Sequence, residues 1–334
     1  MNGLMPSFQL ARPRNVAAAV AERRRHVKGH FIAGGTDLLV NLRRGLSCPE
    51  ALIDLTGIEE LSGIEASDHG LRVGAGVTIA ALADNPMIAS TYGAVAQAAE
   101  AVAGPGHRAM GTVGGNLCLD TRCIFYNQSE WWRRANSFCL KRDGDTCHVA
   151  PQGRRCHAAF TGDLAPALLV IGADVEVARD AGRRCIPLGD IYAEDGRAHL
   201  RLADDELIIA VHLPSSPPPS AYAKIRVRGA IDYPLAGVAV ALGVHSGLVE
   251  SLRIAVTGTN SRPFVLADTD AMIGRPIDQQ ALHQIDRLVQ RQVQPMRTTI
   301  TSAHYRRIAA AALARRLTAT LFGEHGGDRR RECA

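Results

Sequence analysis

The chain has 334 residues, a formal net charge of +5, and 46% hydrophobic and 21% charged residues, which is ordinary for a globular protein. This length allows two domains with separate cores. The mild positive charge gives no reason to expect nucleic-acid binding. The longest apolar stretches, Leu164–Gly172 and Leu207–Leu213, are shorter than the roughly 20 residues of a membrane-spanning helix, and the N-terminus lacks the apolar core of a signal peptide. We therefore expect a cytoplasmic protein that binds neither membranes nor nucleic acids.

The N-terminal part alternates helical and strand-like patterns. Strands are predicted at 30–34, 51–55 and 71–76, and helices at 16–27, 37–45, 78–85 and 86–102. The glycine-rich residues 104–116 are predicted to be irregular. Residues 117–157 show no sustained periodicity, and they contain most of the cysteines and both tryptophans.

Regular patterning returns in the second half of the chain, where DLAPALLVIG begins at residue 163. Strands are predicted at 173–178, 206–214, 221–228 and 251–258, and helices at 278–290 and 299–321. The segment SSPPPS at 215–220 is the best candidate for a domain boundary. The chain is therefore predicted to be an α+β protein with a larger N-terminal part and a smaller C-terminal part.

Two Gly-Gly turns are candidates for phosphate binding: FIAGGTDLL at 31–39 and TVGGN at 112–116. Glycines let the backbone turn tightly, so that N–H groups can approach pyrophosphate oxygens. Neither segment matches the dinucleotide fingerprint or the P-loop signature. Each turn taken alone is more typical of an ordinary connection, so the residues by themselves leave both interpretations open.

The cysteines are unevenly distributed, with five of the eight between residues 118 and 156. Four of them follow the pattern Cys123-x15-Cys139-x7-Cys147-x8-Cys156. Several thiolates in one polar, aperiodic loop favour a soft metal. The spacing has neither the compact run of bacterial ferredoxins nor the C-x2-C pairs of structural zinc sites. From spacing alone, an iron–sulfur cluster, a zinc site and free thiols all remain possible.

The motifs AGGTDLL, TVGGN and GDLAPALL occur in this order and together resemble the FAD-binding medium subunit of the molybdenum hydroxylases, a family that includes xanthine dehydrogenase and carbon monoxide dehydrogenase. The stretch RGAIDYPLAGVAVAL at 228–242 resembles that family's second domain. The resemblance implies an α+β fold, with a PCMH-type (vanillyl-alcohol-oxidase-like) FAD-binding domain over 1–216. A smaller CO-dehydrogenase-flavoprotein C-terminal domain would cover 217–322, and a flexible tail would cover 323–334.

Between the second glycine turn and the GD motif lies an insert, residues 117–157, which we call the cysteine insert. Its TRC-x-FYNQSEWW run and its cysteine spacing are similar to an insert in the flavin subunit of 4-hydroxybenzoyl-CoA reductase. This resemblance implies that Cys123, Cys139, Cys147 and Cys156 bind a 4Fe–4S cluster. It leaves Cys118 as a small buried residue outside the ligand set.

Other side chains of the cysteine insert are assigned supporting roles. Trp131 and Trp132 are expected to pack as apolar anchors for a loop with little secondary structure. The insert also carries basic residues that could offset the charge of a cluster or meet an acidic ferredoxin: Arg122, Arg133, Arg134, Lys141, Arg142, Arg154 and Arg155.

The resemblance also implies which residues contact FAD. The expected contacts are the first glycine segment (Phe31, Ile32, Ala33, Gly34, Gly35, Thr36, Asp37 and Leu38), the second (Thr112, Val113, Gly114, Gly115 and Asn116), and Val102, Ile124, Asp163 and Lys224. Asp163 would lie near the adenosine ribose. No residue of this chain is expected to be catalytic, because substrate would bind elsewhere.

The implied assembly is a heterohexamer with two copies each of this chain, a molybdopterin-binding large subunit and a 2Fe–2S small subunit. Electrons would pass from ferredoxin through 4Fe–4S and FAD to the 2Fe–2S clusters and molybdenum. The oxidoreductase reaction would remove the phenolic hydroxyl of 4-hydroxybenzoyl-CoA in anaerobic aromatic degradation. The alternative is a related molybdenum hydroxylase that oxidises another aromatic or N-heterocyclic substrate, and a zinc-stabilised binding module is a rival from another class.

Overall fold

The computed structural model describes residues 5–67 and 70–325, and its first unit is a small parallel sheet. The sheet contains strands β1 (Gln9–Ala11), β2 (His30–Ile32) and β3 (Ala51–Asp54) in the order β1-β3-β2. Helix α1 (Val16–Arg25) connects β1 to β2, as parallel strands require a crossover. The first glycine segment follows β2 directly and leads into helix α2 (Leu38–Arg43).

A five-stranded antiparallel sheet forms the second unit of the N-terminal part. Its strands run in the order β4-β5-β8-β6-β7, namely β4 (Ile64–Ser67), β5 (Gly70–Gly74), β8 (Leu207–Pro214), β6 (Asp174–Arg179) and β7 (Gly182–Pro187). Helix α9 (Leu164–Ile171) packs beside this sheet and is buried along its whole length. It ends at Gly172, whose φ of 75° is the left-handed conformation that glycine adopts at a helix end.

Six helices lie between β5 and α9: α3 (Ile79–Ala83), α4 (Pro86–Thr91), α5 (Gly93–Ala101), α6 (Pro105–Met110), α7 (Val113–Leu117) and α8 (Glu130–Ala135). The prediction that 104–116 is irregular is wrong, because α6 and α7 lie there. Their start signals are local. Pro105 occupies the first turn of α6, and the Thr112 hydroxyl accepts a hydrogen bond from the Gly115 N–H (3.1 Å).

The C-terminal part is a four-stranded antiparallel sheet in the order β12-β11-β10-β9, covered by two helices. The strands are β9 (Ser220–Ile225), β10 (Ala236–His245), β11 (Leu248–Thr257) and β12 (Phe264–Val265), and the helices are α10 (Gln279–Gln292) and α11 (Ala303–His325). The prediction of a flexible tail from residue 323 is wrong for residues 323–325, which belong to α11. Residues 326–334 lie outside the described part of the chain.

Each part has its own hydrophobic core, and the two parts pack together. One core lies between the five-stranded sheet and helices α5 and α9, and the other between β10, β11 and helices α10 and α11. Helix α9 also contacts β10 and β11, while α5 contacts β9. The predicted α+β class is therefore confirmed. In the stretches 5–67 and 70–325, no helix combines the length and apolarity that a membrane crossing requires.

Candidate cofactor sites

The first glycine segment presents a row of free backbone donors. Between β2 and α2, the N–H groups of Gly34, Gly35, Thr36 and Asp37 find no acceptor among the residues that the structure describes. Gly35 has a φ of 68°, a left-handed conformation that glycine adopts readily. Successive N–H groups around such a residue form a concave anion-binding nest. The segment therefore fits the pyrophosphate of a dinucleotide such as FAD.

The residues directly before the second glycine segment lie against the first. A Cβ atom at Gly34 would overlap the carbonyl oxygen of Met110, and one at Gly111 would lie 3.5 Å from Thr36 Oγ1. The structure thus brings the first segment close to the start of the second.

The N–H groups of the second segment are already used inside the protein. Val113 and Gly114 donate to the carbonyl oxygens of Val77 and Ala75, in the residues that follow β5, at 2.9 and 2.8 Å. The Asn116 side chain accepts from the Leu164 N–H (3.1 Å) at the start of α9. The backbone of this segment therefore offers fewer free donors to a ligand.

The four cysteines of the predicted ligand set line one cavity. Cys123, Cys139, Cys147 and Cys156 are all buried, with 5–7% of their surface exposed, and none forms a disulfide. The other side chains around the cavity are mostly apolar or aromatic: Phe125, Tyr126, Leu140, Lys141, His148, Val149 and Ala158. Four buried thiols facing one water-poor cavity form a donor set that suits an iron–sulfur cluster.

Hydrogen bonds to sulfur reinforce this arrangement. The Ala158 N–H donates to Cys156 Sγ (3.4 Å), and backbone N–H groups also reach Cys123 and Cys147. A hydrogen bond from the Cys156 thiol lowers the pKa of Cys147 to about 5, whereas burial raises the pKa of Cys123 to about 11. Such N–H···S contacts help set the potential of a bound cluster.

The four thiols share a cavity without forming a finished site for a single ion. Within 5–67 and 70–325, no group of three or more His, Cys, Asp or Glu side chains is placed so that it could hold one metal ion.

Cys118 lies outside this cavity. It packs against the main core of the N-terminal part, and burial raises the pKa of its thiol to about 12. Cys118 is partly buried, where full burial was expected, and it does not line the cavity of the other four cysteines.

The cysteine insert is held in place by a buried arginine. Arg133, only 1% exposed, donates hydrogen bonds to the carbonyl oxygens of Arg44, Gly45 and Gln128. These contacts connect α8 with the end of α2. Trp132 packs near Phe125, with ring centroids 6.2 Å apart.

Two expectations about the insert need correction. Trp131 is 72% exposed and therefore does not act as a packing anchor. Arg133 and Lys141 are buried, so they belong to no docking surface. Arg122 and Arg155 pair with Asp37 and Glu194, respectively, which leaves Arg134, Arg142 and Arg154 as the more exposed basic residues.

A polar connection joins the cysteine insert to the first glycine segment. Arg122, directly before Cys123, forms an ion pair with Asp37. The backbone N–H of Asp120 donates to the same carboxylate (3.3 Å), and Arg122 lies over the ring of Tyr233 (4.6 Å to its centroid). Sequence reasoning missed Asp120 and Tyr233. Neither residue belongs to a glycine or cysteine motif, so little in the sequence indicated that it contributes to this connection.

Asp163 and Lys224 meet inside the protein. Lys224 Nζ lies 2.9 Å from Asp163 Oδ1, and the Tyr222 hydroxyl donates to the same oxygen (2.7 Å). Burial raises the pKa of Asp163, while the Lys224 ammonium opposes this shift. The pair connects the start of α9 to β9. Its predicted contact with FAD stays a prediction, and Tyr222 is a partner that the sequence did not indicate.

The two remaining candidates for flavin contact, Val102 and Ile124, have backbone groups that are paired within the protein. The carbonyl oxygen of half-buried Val102 accepts a hydrogen bond from Arg108 (2.9 Å). The N–H of Ile124 donates to the Thr298 carbonyl (2.9 Å), which ties the insert to the segment before α11. For both residues, a flavin contact stays a prediction.

Two family descriptions match consecutive parts of the chain. The family described as FAD binding domain in molybdopterin dehydrogenase matches residues 6–216. The CO dehydrogenase flavoprotein C-terminal domain matches residues 220–321. The first match alone covers more than half of the chain.

Individual relatives agree with this result. The chain is 32% identical, over 284 residues, to the aldehyde oxidoreductase FAD-binding subunit PaoB of Escherichia coli (strain K12), covering 81% of this chain and 87% of that one. It is 25% identical to the carbon monoxide dehydrogenase medium chain of Afipia carboxidovorans, covering 93% and 95%. A structure of reconstituted CO dehydrogenase from Oligotropha carboxidovorans has the same fold, with a TM-score of 0.78 at 24% identity, covering 96% of this chain and 99% of that one.

Proposed function

Because the chain belongs to the family of FAD-binding proteins of the molybdopterin dehydrogenases, we propose that it is an electron-transfer subunit that carries both FAD and a 4Fe–4S cluster. It would be the medium subunit of a molybdenum hydroxylase, with a molybdopterin-binding large subunit and a 2Fe–2S small subunit as partners, two copies of each. The observation that carries the proposal is the cavity lined by four buried cysteines, in an insert that the Arg122–Asp37 ion pair connects to the first glycine segment.

In this proposal, the first glycine segment holds the flavin. The free N–H groups of Gly34, Gly35, Thr36 and Asp37 bind the pyrophosphate. The residues directly before 112–116 pack against this segment. Phe31–Leu38 and Thr112–Asn116 together form the flavin site, with Asp163 near the ribose. When bound, flavin and cluster supply the redox chemistry, and this chain's residues position them and keep water out.

Cys123, Cys139, Cys147 and Cys156 hold the cluster in this proposal. Support comes from their burial, their shared cavity and the N–H groups that point at the sulfurs. The Arg122–Asp37 ion pair fixes the insert against the flavin segment. We further propose that the FAD-binding domain spans 1–216, with this insert at 117–157, and that the C-terminal domain spans 217–322.

The substrate proposal rests on the cysteine insert. The insert resembles that of 4-hydroxybenzoyl-CoA reductase, so we propose a cytoplasmic complex that reduces this thioester with ferredoxin as electron donor. The relatives named above are described as proteins acting on aldehydes or carbon monoxide. The alternative, a related hydroxylase for another aromatic or N-heterocyclic substrate, would use the same two sites on this chain.

Serine substitutions test the cluster assignment. We expect Cys123→Ser or Cys139→Ser to remove most of the iron and sulfide and to leave the flavin bound, because the two sites use different residues. Cys118→Ser is the matched control, and it should keep the full iron content. Equal iron in all three variants, measured after anaerobic purification, would contradict the assignment.

A further inference from the structure

Lys141 is a buried ammonium at the edge of the cysteine cavity. Of the described side chains that line the cavity, it alone carries a permanent charge. Its side chain is 6% exposed, and Nζ lies 2.6 Å from Asp120 Oδ1 and 3.1 Å from the Thr121 carbonyl oxygen. The ammonium also lies over the ring of Tyr126, 4.4 Å from its centroid. These partners fix the position of the charge.

Lys141 lines the same cavity as the four thiols, so its positive charge lies beside them. Its counter-ion Asp120 is not among the residues that line the cavity. Instead, the Asp120 side chain accepts from the Thr121 N–H (2.9 Å), while its own N–H donates to Asp37. The cation of this ion pair is therefore among the residues that line the cavity, whereas its anion is not.

We propose that Lys141 raises the reduction potential of the cluster held by the four cysteines, and that Asp120 moderates this effect. The inference rests on the proposed function, and it adds residues that set the potential without binding the metal. A cluster with four thiolates becomes more negative when it takes up an electron. A nearby cation stabilises that form, and its effect is strong where water is excluded.

Two variants of opposite charge change test this proposal. Lys141→Met removes the cation, so it should shift the midpoint potential to a more negative value, by about tenfold or more in the reduction equilibrium, which is 59 mV for one electron. Asp120→Asn removes the anion and should shift the potential in the positive direction. The measurement is a potentiometric titration of the anaerobically purified full chain, followed by electron paramagnetic resonance.

Arg134→Met is the matched control. It removes the same charge from an exposed side chain of the same insert, 64% exposed and paired with Glu130, so solvent screening should leave the potential unchanged. Opposite shifts in the two test variants support the proposal. Unchanged potentials, or shifts in the same direction, overturn it.

The iron content distinguishes a failure of this inference from a failure of the proposed function. If Lys141→Met prevents cluster insertion, Asp120→Asn decides alone, and the absence of a positive shift overturns the proposal. A wild-type chain without iron and sulfide would overturn the proposed function, and this inference with it.

Discussion

At the residue scale, Gly34 lies at the contact between the first glycine segment and the residues before the second. Its Cα faces the Met110 carbonyl so closely that no other residue fits without moving the backbone. Overpacking of this kind costs about 1–3 kcal/mol, and the displaced segment carries the four free N–H groups. The proposed flavin site therefore requires the absence of a side chain at Gly34.

This contact predicts the effect of Gly34→Ala. We expect at least tenfold weaker FAD binding, measured by flavin titration, with the iron content unchanged because the cysteines lie elsewhere. Gly106→Ala in α6 is the control, since nothing lies within 4 Å of its added Cβ. Normal flavin affinity in Gly34→Ala would show that the segment does not bind the cofactor.

The sequence indicated some of these residues and missed others for a physical reason. Gly34 and Gly35 belong to a local motif, and their conformational freedom can be recognised from composition. The Asp37–Arg122 pair joins residues 85 positions apart. Nothing local marks such a contact, so the tertiary fold was needed to find it.

At the element scale, the cysteine insert has little regular structure of its own. It contains one short helix, α8, and depends on contacts with its surroundings. Arg133 is the buried anchor, and its guanidinium satisfies carbonyl oxygens in the turn after α2. Loss of these bonds leaves buried acceptors without partners, at about 1–3 kcal/mol.

Arg133→Met should therefore loosen the insert selectively. We expect faster proteolytic cleavage within residues 117–157 and less bound iron, while the flavin stays bound. Its neighbour Arg134→Met provides the control, because that side chain is solvent-exposed on the same helix. Equal cleavage rates and iron contents in the two variants would argue against an anchoring role.

Short helices were the elements that the sequence predicted least well. Helices α6, α7 and α8 have five or six residues each, fewer than the window of about 11 residues in which helical periodicity becomes visible. Local caps specify them, such as Ser129, whose hydroxyl accepts from the Trp132 N–H (3.3 Å). Longer elements such as α10 and β8 were predicted correctly.

At the scale of the whole molecule, the chain combines two α+β parts with separate cores and a direct interface. Buried polar groups bridge that interface, among them Asp163 at the start of α9 and Lys224 on β9. Arg306 on α11 is fully buried and donates to the Leu235 carbonyl (2.9 Å) and to that of Met296 (2.8 Å). The first contact connects α9 to β9, and the contacts of Arg306 connect α11 to the residues that precede β10 and α11.

The architecture was predictable because strong hydrophobic patterns specify both cores. The cysteine site was predictable only in part. Spacing left the bound group open, whereas the fold brings four distant cysteines, from Cys123 to Cys156, to one cavity. Under the proposed function, substrate would bind another subunit, so this chain's own residues do not specify it.

We propose that one chain carries both cofactors, which can be tested by the content of iron, acid-labile sulfide and FAD per chain after anaerobic purification. We expect about four irons, four sulfides and one FAD, with all iron lost when Cys123 and Cys139 are replaced together. A chain that carries FAD without iron, or one zinc ion in place of the cluster, would refute the proposal.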